Sequence, residues 1–370
     1  RMFSCIALLL AFALLLVPVA VYAGPPVLKA LSGTAPERQS AVPSHQRPPA
    51  QLTENPFIKP LDPAAPVPDA AVLGALLDAE LGFTGGGTVS AVVSDALTGT
   101  VLYERGPETA GMPASTLKIL TAAAVVRTLD PESRFETAVH AAKADGETVL
   151  TLRGGGDVLL GSGNSREDAV VGRAGLATLA AEALQKLGPD AGTVRVQVDD
   201  TLFTGPALSG AWNEADVAAG EIAPVHALAL NSAWVDESRQ GGERSADAAL
   251  AAGTAFRDAL AASAEASRIT VADGVNRGTA PAGSRELAAV ESATVAEQVE
   301  QMLLVSDNYL AEALARSAAK ASGREADFSG ATETVAAEIA GLGVDTAGMS
   351  LADVSGLAAE NSVTPRQLEH

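Results

Sequence analysis

Ser115 and Lys118 stand three residues apart in Ser115-Thr116-Leu117-Lys118, just after Pro113. A serine hydroxyl is a weak nucleophile at neutral pH and attacks a carbonyl only when a base takes its proton. On a helix, residues three apart share a face, so this spacing brings hydroxyl and amine within hydrogen-bond reach. Apolar surroundings disfavour the ammonium and make the amine usable as that base. A serine in the first helical turn also gains the positive end of the helix dipole beside a developing oxyanion. The chemistry these residues suggest is acyl transfer through a serine ester.

Spacing alone does not single the pair out. Ser317-Ala318-Ala319-Lys320 has the same pattern, and Ser-x-Asn occurs at both Ser162-Gly163-Asn164 and Ser306-Asp307-Asn308. Position decides between them. Ser115 opens a helix directly behind a β-hairpin, whereas Ser317 falls late in a helix and reads as part of a solvated helix end. Ser306 and Asn308 occupy a short elbow between two helices, which can aim polar side chains into a cleft. For Ser162 to Asn164, in a glycine-rich loop, a turn is sufficient explanation. The candidate catalytic set is therefore Ser115, Lys118, Ser306 and Asn308.

These residues need elements to hold them, and the periodicity predicts several. A helix runs from Ala70 to near Gly82, followed by β-rich runs at Thr88 to Ser94 and Thr100 to Glu104 that form a hairpin around Asp95-Ala96-Leu97-Thr98-Gly99. The helix of Ser115 extends to about Leu129, where Asp130-Pro131 stops it, and it is apolar nearly all round, which predicts central burial. Short strands are expected at Thr148 to Leu152, Val194 to Val198 and near Ala227 to Val235, with helices near Gly172 to Leu187 and Ala246 to Ala262. Thr294-Val295-Ala296-Glu297 has capping-box spacing and opens a helix to about Val305; periodicity resumes from Tyr309 to about Lys320.

Composition bounds the rest. At 370 residues and 47% hydrophobic, the chain can build two or three cores, and its net charge of −20 excludes a partner held through a phosphate backbone. The one cysteine, Cys5, leaves no intramolecular disulfide or cysteine-based zinc site. His45, His140 and His226 are scattered without metal spacing and read as structural, as Trp212, Trp234 and Tyr103 read as core anchors. An apolar run from Ile6 to Ala23 ending Val21-Tyr22-Ala23 reads as a secretion signal, with a membrane anchor as the other reading. Between Gly24 and Pro68 lie eleven of the 20 prolines, the composition of an extended tether.

The order of hairpin, Ser115-x-x-Lys118 and Ser306-Asp307-Asn308 resembles the serine D-Ala-D-Ala hydrolases and β-lactamases, whose motifs are Ser-x-x-Lys, Ser-x-Asn and Lys-Thr-Gly. The 191-residue step from Ser115 to Ser306 is too long for a β-lactamase. It is similar to the class C low-molecular-mass penicillin-binding proteins, the D-alanyl-D-alanine carboxypeptidase/endopeptidase family of peptidase S13, which carry extra domains between those motifs. Gly154-Gly155-Gly156-Asp157 resembles the family's Gly-Gly-Gly-Asp-Pro-Thr-Leu segment, with Val158 and Leu159 in place of Pro-Thr. Asp353-Val354-Ser355-Gly356-Leu357, with Asn361, resembles Asp-Gly-Ser-Gly-Leu-Ser-Arg-x-Asn, with Val354 for glycine and Ala358-Ala359 for Ser-Arg. The likeness covers most of Ala70 to His370.

The resemblance implies an α/β (α+β) fold: a β-lactamase/transpeptidase-like domain from 70–141 and 287–370, with inserted mixed α/β structure at 142–286. Before it would come a signal peptide at 1–23 and a linker at 24–69. It implies acylation of Ser115 by peptidoglycan stem peptides outside the cytoplasm, β-lactams as covalent inhibitors, and no metal or cofactor. Lys118 would take the serine proton, Ser306 relay it to the leaving amine, and Asn308 orient the substrate amide. Asp157 and Ser355 are expected to contact substrate, a glycine-turn role for Asp157 remaining equally open, and Glu312 is expected to be a structural hydrogen-bonding residue. None of the six lysines precedes Thr-Gly, and Thr364-Pro365-Arg366-Gln367 begins a helix near the end of the chain. The expectation is therefore a C-terminally truncated domain whose third motif lies beyond His370. Two other readings stay open: a serine β-lactamase, and a catalytically inactive wall-binding or β-lactam-sensing homologue.

Overall fold

A computed structural model of the chain describes residues 62, 64–82, 87–144, 146–188, 191–238, 241–264 and 268–370. The apolar segment ending at Ala23, and the tether up to residue 61, lie outside the described residues. The chain divides into two compact units, Arg1–Ala65 and Pro66–His370, and the second contains all the described helices and strands. Among the described residues no helix is long and apolar enough to cross a membrane.

Helix α1 (Ala70–Leu81) starts where the Asp69 carboxylate accepts the amides of Ala71 and Val72, and it ends at Gly82. Strands β1 (Ala91–Ser94) and β2 (Val101–Arg105) form the expected antiparallel hairpin. Its turn is set by Asp95, whose Oδ1 accepts both the amide and the hydroxyl of Thr98. A 3-10 turn, Ala114–Thr116, leads into α2 (Leu117–Thr128). Helix α2 buries Leu117, Lys118, Leu120, Thr121, Ala124 and Val125 but leaves Ile119 54% and Val126 38% exposed. Burial is thus confined to the face that carries the lysine.

Five strands follow in one sheet: β3 (Arg134–Ala144), β4 (Glu147–Gly154), β5 (Thr193–Asp199), β6 (Thr270–Arg277) and β7 (Arg285–Thr294), in the order β6-β5-β4-β3-β7. The β4-β5 and β5-β6 pairs are parallel. Parallel neighbours need a long crossover, and helices α3 (Leu176–Leu187) and α5 (Ala248–Ala264) supply it. Phe256, Leu260, Leu176 and Leu179 pack there against Leu150, Leu152, Val194, Val196 and Val198, all buried. The boundaries expected at 141/142 and 286/287 fall inside β3 and β7, whose ladder runs from Arg134↔Thr294 to Ala141↔Arg285 with a register shift between Val139 and His140.

The strand expected near Ala227 to Val235 does not form. Leu230 makes a single bridge to Leu160, and then Asn231, Ser232 and Ala233 turn with φ of 36°, 55° and 67°, conformations that cannot continue a ladder. The short helix α4 (Glu214–Ala218) precedes this segment.

After the sheet come α6 (Val295–Val305), α7 (Asn308–Ala321), α8 (Phe328–Gly341), which periodicity had not revealed, and α9 (Pro365–Glu369). Both capping boxes read from the sequence, at Thr294/Glu297 and Thr364/Gln367, are made in full. Helix α7 is buried from Asn308 to Ala319, and α2 packs against α6, α7 and α8. Phe256→Ala, which empties the middle of the sheet–helix core, should cost about 3–5 kcal/mol, read as a lowered urea midpoint at unchanged slope.

Candidate active site

The chain enters α2 through a buried Pro113 and through Ala114, whose φ of 48° is left-handed for a residue with a side chain. Such a conformation persists only when neighbours enforce it. Here the enforcing neighbour is Gly356, itself at φ 84°, whose α-carbon lies so close to the Ala114 carbonyl that a β-carbon there would collide with it. The turn exposes Ser115 and sends Lys118 inward, where it is 1% exposed.

Three oxygens surround the Lys118 amine: Asn308 Oδ1 at 2.6 Å, the Ser355 carbonyl at 2.8 Å and Ser115 Oγ at 3.2 Å. The first two can only accept, because Asn308 presents its other amide atom, Nδ2, as donor to the Glu221 carbonyl at 3.0 Å. A neutral amine has two N–H donors and one lone pair. Both donors are claimed by Asn308 and Ser355, so the lone pair is left facing the Ser115 hydroxyl. Once the amine takes the serine proton, its third N–H meets the same oxygen, and no group has to move. Burial pulls the Lys118 pKa down to about 8, against the opposing fields of Asp307, Asp353, Glu312 and Glu221.

The elbow works through chain geometry. Ser306 closes α6 in the left-handed region, φ 56°, and Asp307 Oδ1 then accepts the amides of Tyr309 and Leu310 to start α7. That places Asn308 at the first position of a buried helix, its side chain facing Lys118. Ser306 lies on the exposed side of the elbow, and its hydroxyl has no partner among the described residues.

Asp353 organises the third wall. Its two oxygens accept from Trp212 Nε1, Ser355 Oγ, Asn361 Nδ2 and the amides of Gly356, Leu357 and Ala358, at 2.7 to 3.1 Å. This folds Asp353 to Asn361 into a loop that turns the Ser355 carbonyl toward Lys118, and Thr121 Oγ1 fastens the loop to α2 through the Val354 carbonyl at 2.6 Å. Glu312 Oε1 accepts the amides of Val354 and Ser355 at 3.0 and 3.1 Å, the structural role expected of it. Burial raises its pKa to about 8.

Four of the six expected site residues meet at the lysine: Ser115, Lys118 and Asn308 by side chain, Ser355 by its carbonyl. Ser355 is fully buried and its hydroxyl donates to Asp353. Ser306 is adjacent in the chain but unengaged. Asp157 is 1% exposed, accepts the Leu159 amide at 2.8 Å and makes no hydrogen bond to this set; burial raises its pKa to about 7. The rival pair is kept apart by its own helix: Ser317 Oγ turns back to the Ala313 carbonyl while Lys320 points to solvent. Glu221, Thr121 and Trp212 join the site without any local motif to announce them. Among the described residues no three His, Cys, Asp or Glu side chains converge as a metal site.

A model of the D-Ala-D-Ala carboxypeptidase 3 (S13) family matches residues 75–242 and 236–370. The chain belongs to that family. Carboxypeptidase Rv3627c of Mycobacterium tuberculosis is 34% identical over 322 residues, covering 87% of this chain and 68% of its own length. Carboxypeptidase DacB of Mycolicibacterium smegmatis is 34% identical over 321 residues, with the same coverage. The fold is shared with penicillin binding protein 4 of Haemophilus influenzae at TM-score 0.58 and 20% identity, over 80% of this chain and 76% of that one. The S13 protein is accordingly a hydrolase of the D-Ala-D-Ala carboxypeptidase type, on the penicillin-binding fold that its motif order had suggested.

Among the described residues of the S13 chain, Asp353 accepts from six donors. Asp353→Ala leaves several buried donors unsatisfied and should cost at least about 3 kcal/mol, whereas Asp353→Asn, which keeps one carbonyl acceptor, should cost less. Urea unfolding of both variants checks the order.

Proposed function

We propose that the protein is a serine D-alanyl-D-alanine carboxypeptidase/endopeptidase that acts on peptidoglycan stem peptides through an ester on Ser115. The observation that carries this is the buried amine of Lys118, 3.2 Å from Ser115 Oγ and held by Asn308 Oδ1 and the Ser355 carbonyl, so that in its neutral form the lone pair is left for the Ser115 hydroxyl. Lys118 Nζ takes the hydroxyl proton as Oγ adds to the carbonyl of the penultimate D-alanine, with the Ser115 amide at the start of the helix supplying half of the oxyanion hole. As the tetrahedral intermediate collapses, the C–N bond breaks and the proton passes to the departing amine, with Ser306 as relay and Asn308 orienting the peptide. Water then cleaves the ester by the same route and restores the hydroxyl. Release of a terminal D-alanine or of a cross-linked neighbour differs only in which amine departs.

β-Lactams, as mimics of the same amide, would acylate Ser115 as well. Asp157 would help hold the stem-peptide side chain. The substrate lies outside the cytoplasmic membrane, so the reading carries an extracytoplasmic site of action, supported by the apolar segment ending at Ala23, which would serve as signal or tether. The Asp353–Asn361 loop supports the reading independently, because its hydrogen bonds serve to aim one carbonyl at the base.

A fluorescent penicillin tests this. Labelling should be stable, absent in Ser115→Ala, and slowed at least about 100-fold in Lys118→Arg, whose guanidinium cannot give up its proton. Because the base must be unprotonated, the acylation rate of the wild type should climb with pH and level off above about 8. Rapid turnover of the drug would favour a β-lactamase, and a full-length protein that takes up no label would be the inactive homologue.

A further inference from the structure

Arg244 belongs to none of the motifs read from the sequence, yet its side chain is only 5% exposed and lies beside the elbow. Its Nη2 is 3.5 Å from Asp307 Oδ1, the atom that caps α7. Its Nε donates to the Gly220 carbonyl at 2.7 Å and Nη1 to the Ser232 carbonyl. The guanidinium stacks 3.6 Å from the centre of the Trp234 ring, a geometry a lysine cannot reproduce.

Asn308 has two anchors, and this one guanidinium stands behind both. The residue before Asn308 is Asp307, which Arg244 pairs. The carbonyl that receives Asn308 Nδ2 is that of Glu221, one peptide beyond the Gly220 carbonyl that Arg244 holds. Resting on the reading of Ser115 as nucleophile and Lys118 as its base, we infer that Arg244 is a positioning residue for acyl transfer, fixing the elbow that presents Asn308 to the lysine and opposing the charge of Asp307.

The electrostatics agree in direction. The carboxylates facing Lys118 are Asp307 on the elbow, Asp353 on the 353–361 loop, Glu312 on α7 and Glu221 on the loop after α4; among them Asp307 does most to favour the ammonium. Arg244 is the cation set against Asp307. Remove it and the unopposed carboxylate raises the Lys118 pKa, so that a higher pH is needed to free the base.

The test is the pH dependence of acylation by fluorescent penicillin in the full-length protein, for the wild type, Arg244→Gln, Arg244→Lys, Asp307→Asn and the double variant Arg244→Gln/Asp307→Asn. In Arg244→Gln the rise of rate with pH should move up by about one unit, making the protein roughly ten-fold slower near pH 7. Arg244→Lys, which keeps the charge but loses the stacked geometry, should recover only part of that shift, and the double variant should abolish it. A role in folding alone would lower the active fraction equally at every pH and leave the midpoint in place; that result, or an upward shift that persists in the double variant, overturns the inference. Should Arg244→Gln fail to fold, Asp307→Asn decides, since asparagine caps a helix nearly as well: its midpoint should fall, and an unmoved midpoint is contrary. A wild type that is not labelled at Ser115 would remove the underlying reading and this inference together, whereas normal labelling with an unshifted profile removes only the inference.

Discussion

One buried amine holds the site together. Lys118 Nζ is where three distant stretches of chain meet, the α2 turn through Ser115, the elbow through Asn308 and the 353–361 loop through Ser355, with sequence separations of 3, 190 and 237 residues. Taking a lysine out of water is unfavourable unless every donor finds an acceptor, and here each does. The same arrangement serves the amine before and after it accepts a proton, so little reorganisation accompanies the transfer.

Much of the neighbouring structure follows from the need to hold those acceptors still. Asp353 gathers the donors of its own loop so that the Ser355 carbonyl points inward, and Glu312 binds the two amides on the opposite side of that loop. Left-handed backbone at Ala114 and Ser306 places a reactive or orienting residue just after each kink. Non-glycine residues in that region cost of order 1–3 kcal/mol each, and the packing of Gly356 on Ala114 and the cap of Asp307 on α7 offset that cost. The five-stranded sheet has a core of its own, with β3 following α2 in the chain and β7 leading into α6.

What could be read from residue types and spacing was whatever local chemistry dictates. The Thr294/Glu297 and Thr364/Gln367 capping boxes, the hairpin around Asp95 and the break at Ser306-Asp307 are decided within four or five residues, and all appear as expected. Partnerships that require the folded chain were illegible: nothing near Trp212 indicates Asp353, and nothing near Glu221 indicates Asn308. At Ser355 the atom that meets Lys118 is the backbone carbonyl, which no side-chain pattern encodes. The strand expected at Ala227 to Val235 failed for a similar reason. Its apolar residues do enter a core, but through single bridges and three left-handed residues instead of a ladder.

Everything at the site turns on Lys118 being neutral enough to act as a base, a property the fold confers by burying it. With only six lysines in the chain, selective ¹³Cε labelling gives a spectrum in which Lys118 is assigned by its absence in Lys118→Met. Titrated by NMR, that signal should show a midpoint near 8. A midpoint close to the ordinary lysine value of about 10.4 would contradict the account, because the neutral amine that offers Ser115 a lone pair would then fall from about a tenth of the molecules at pH 7 to well under a thousandth.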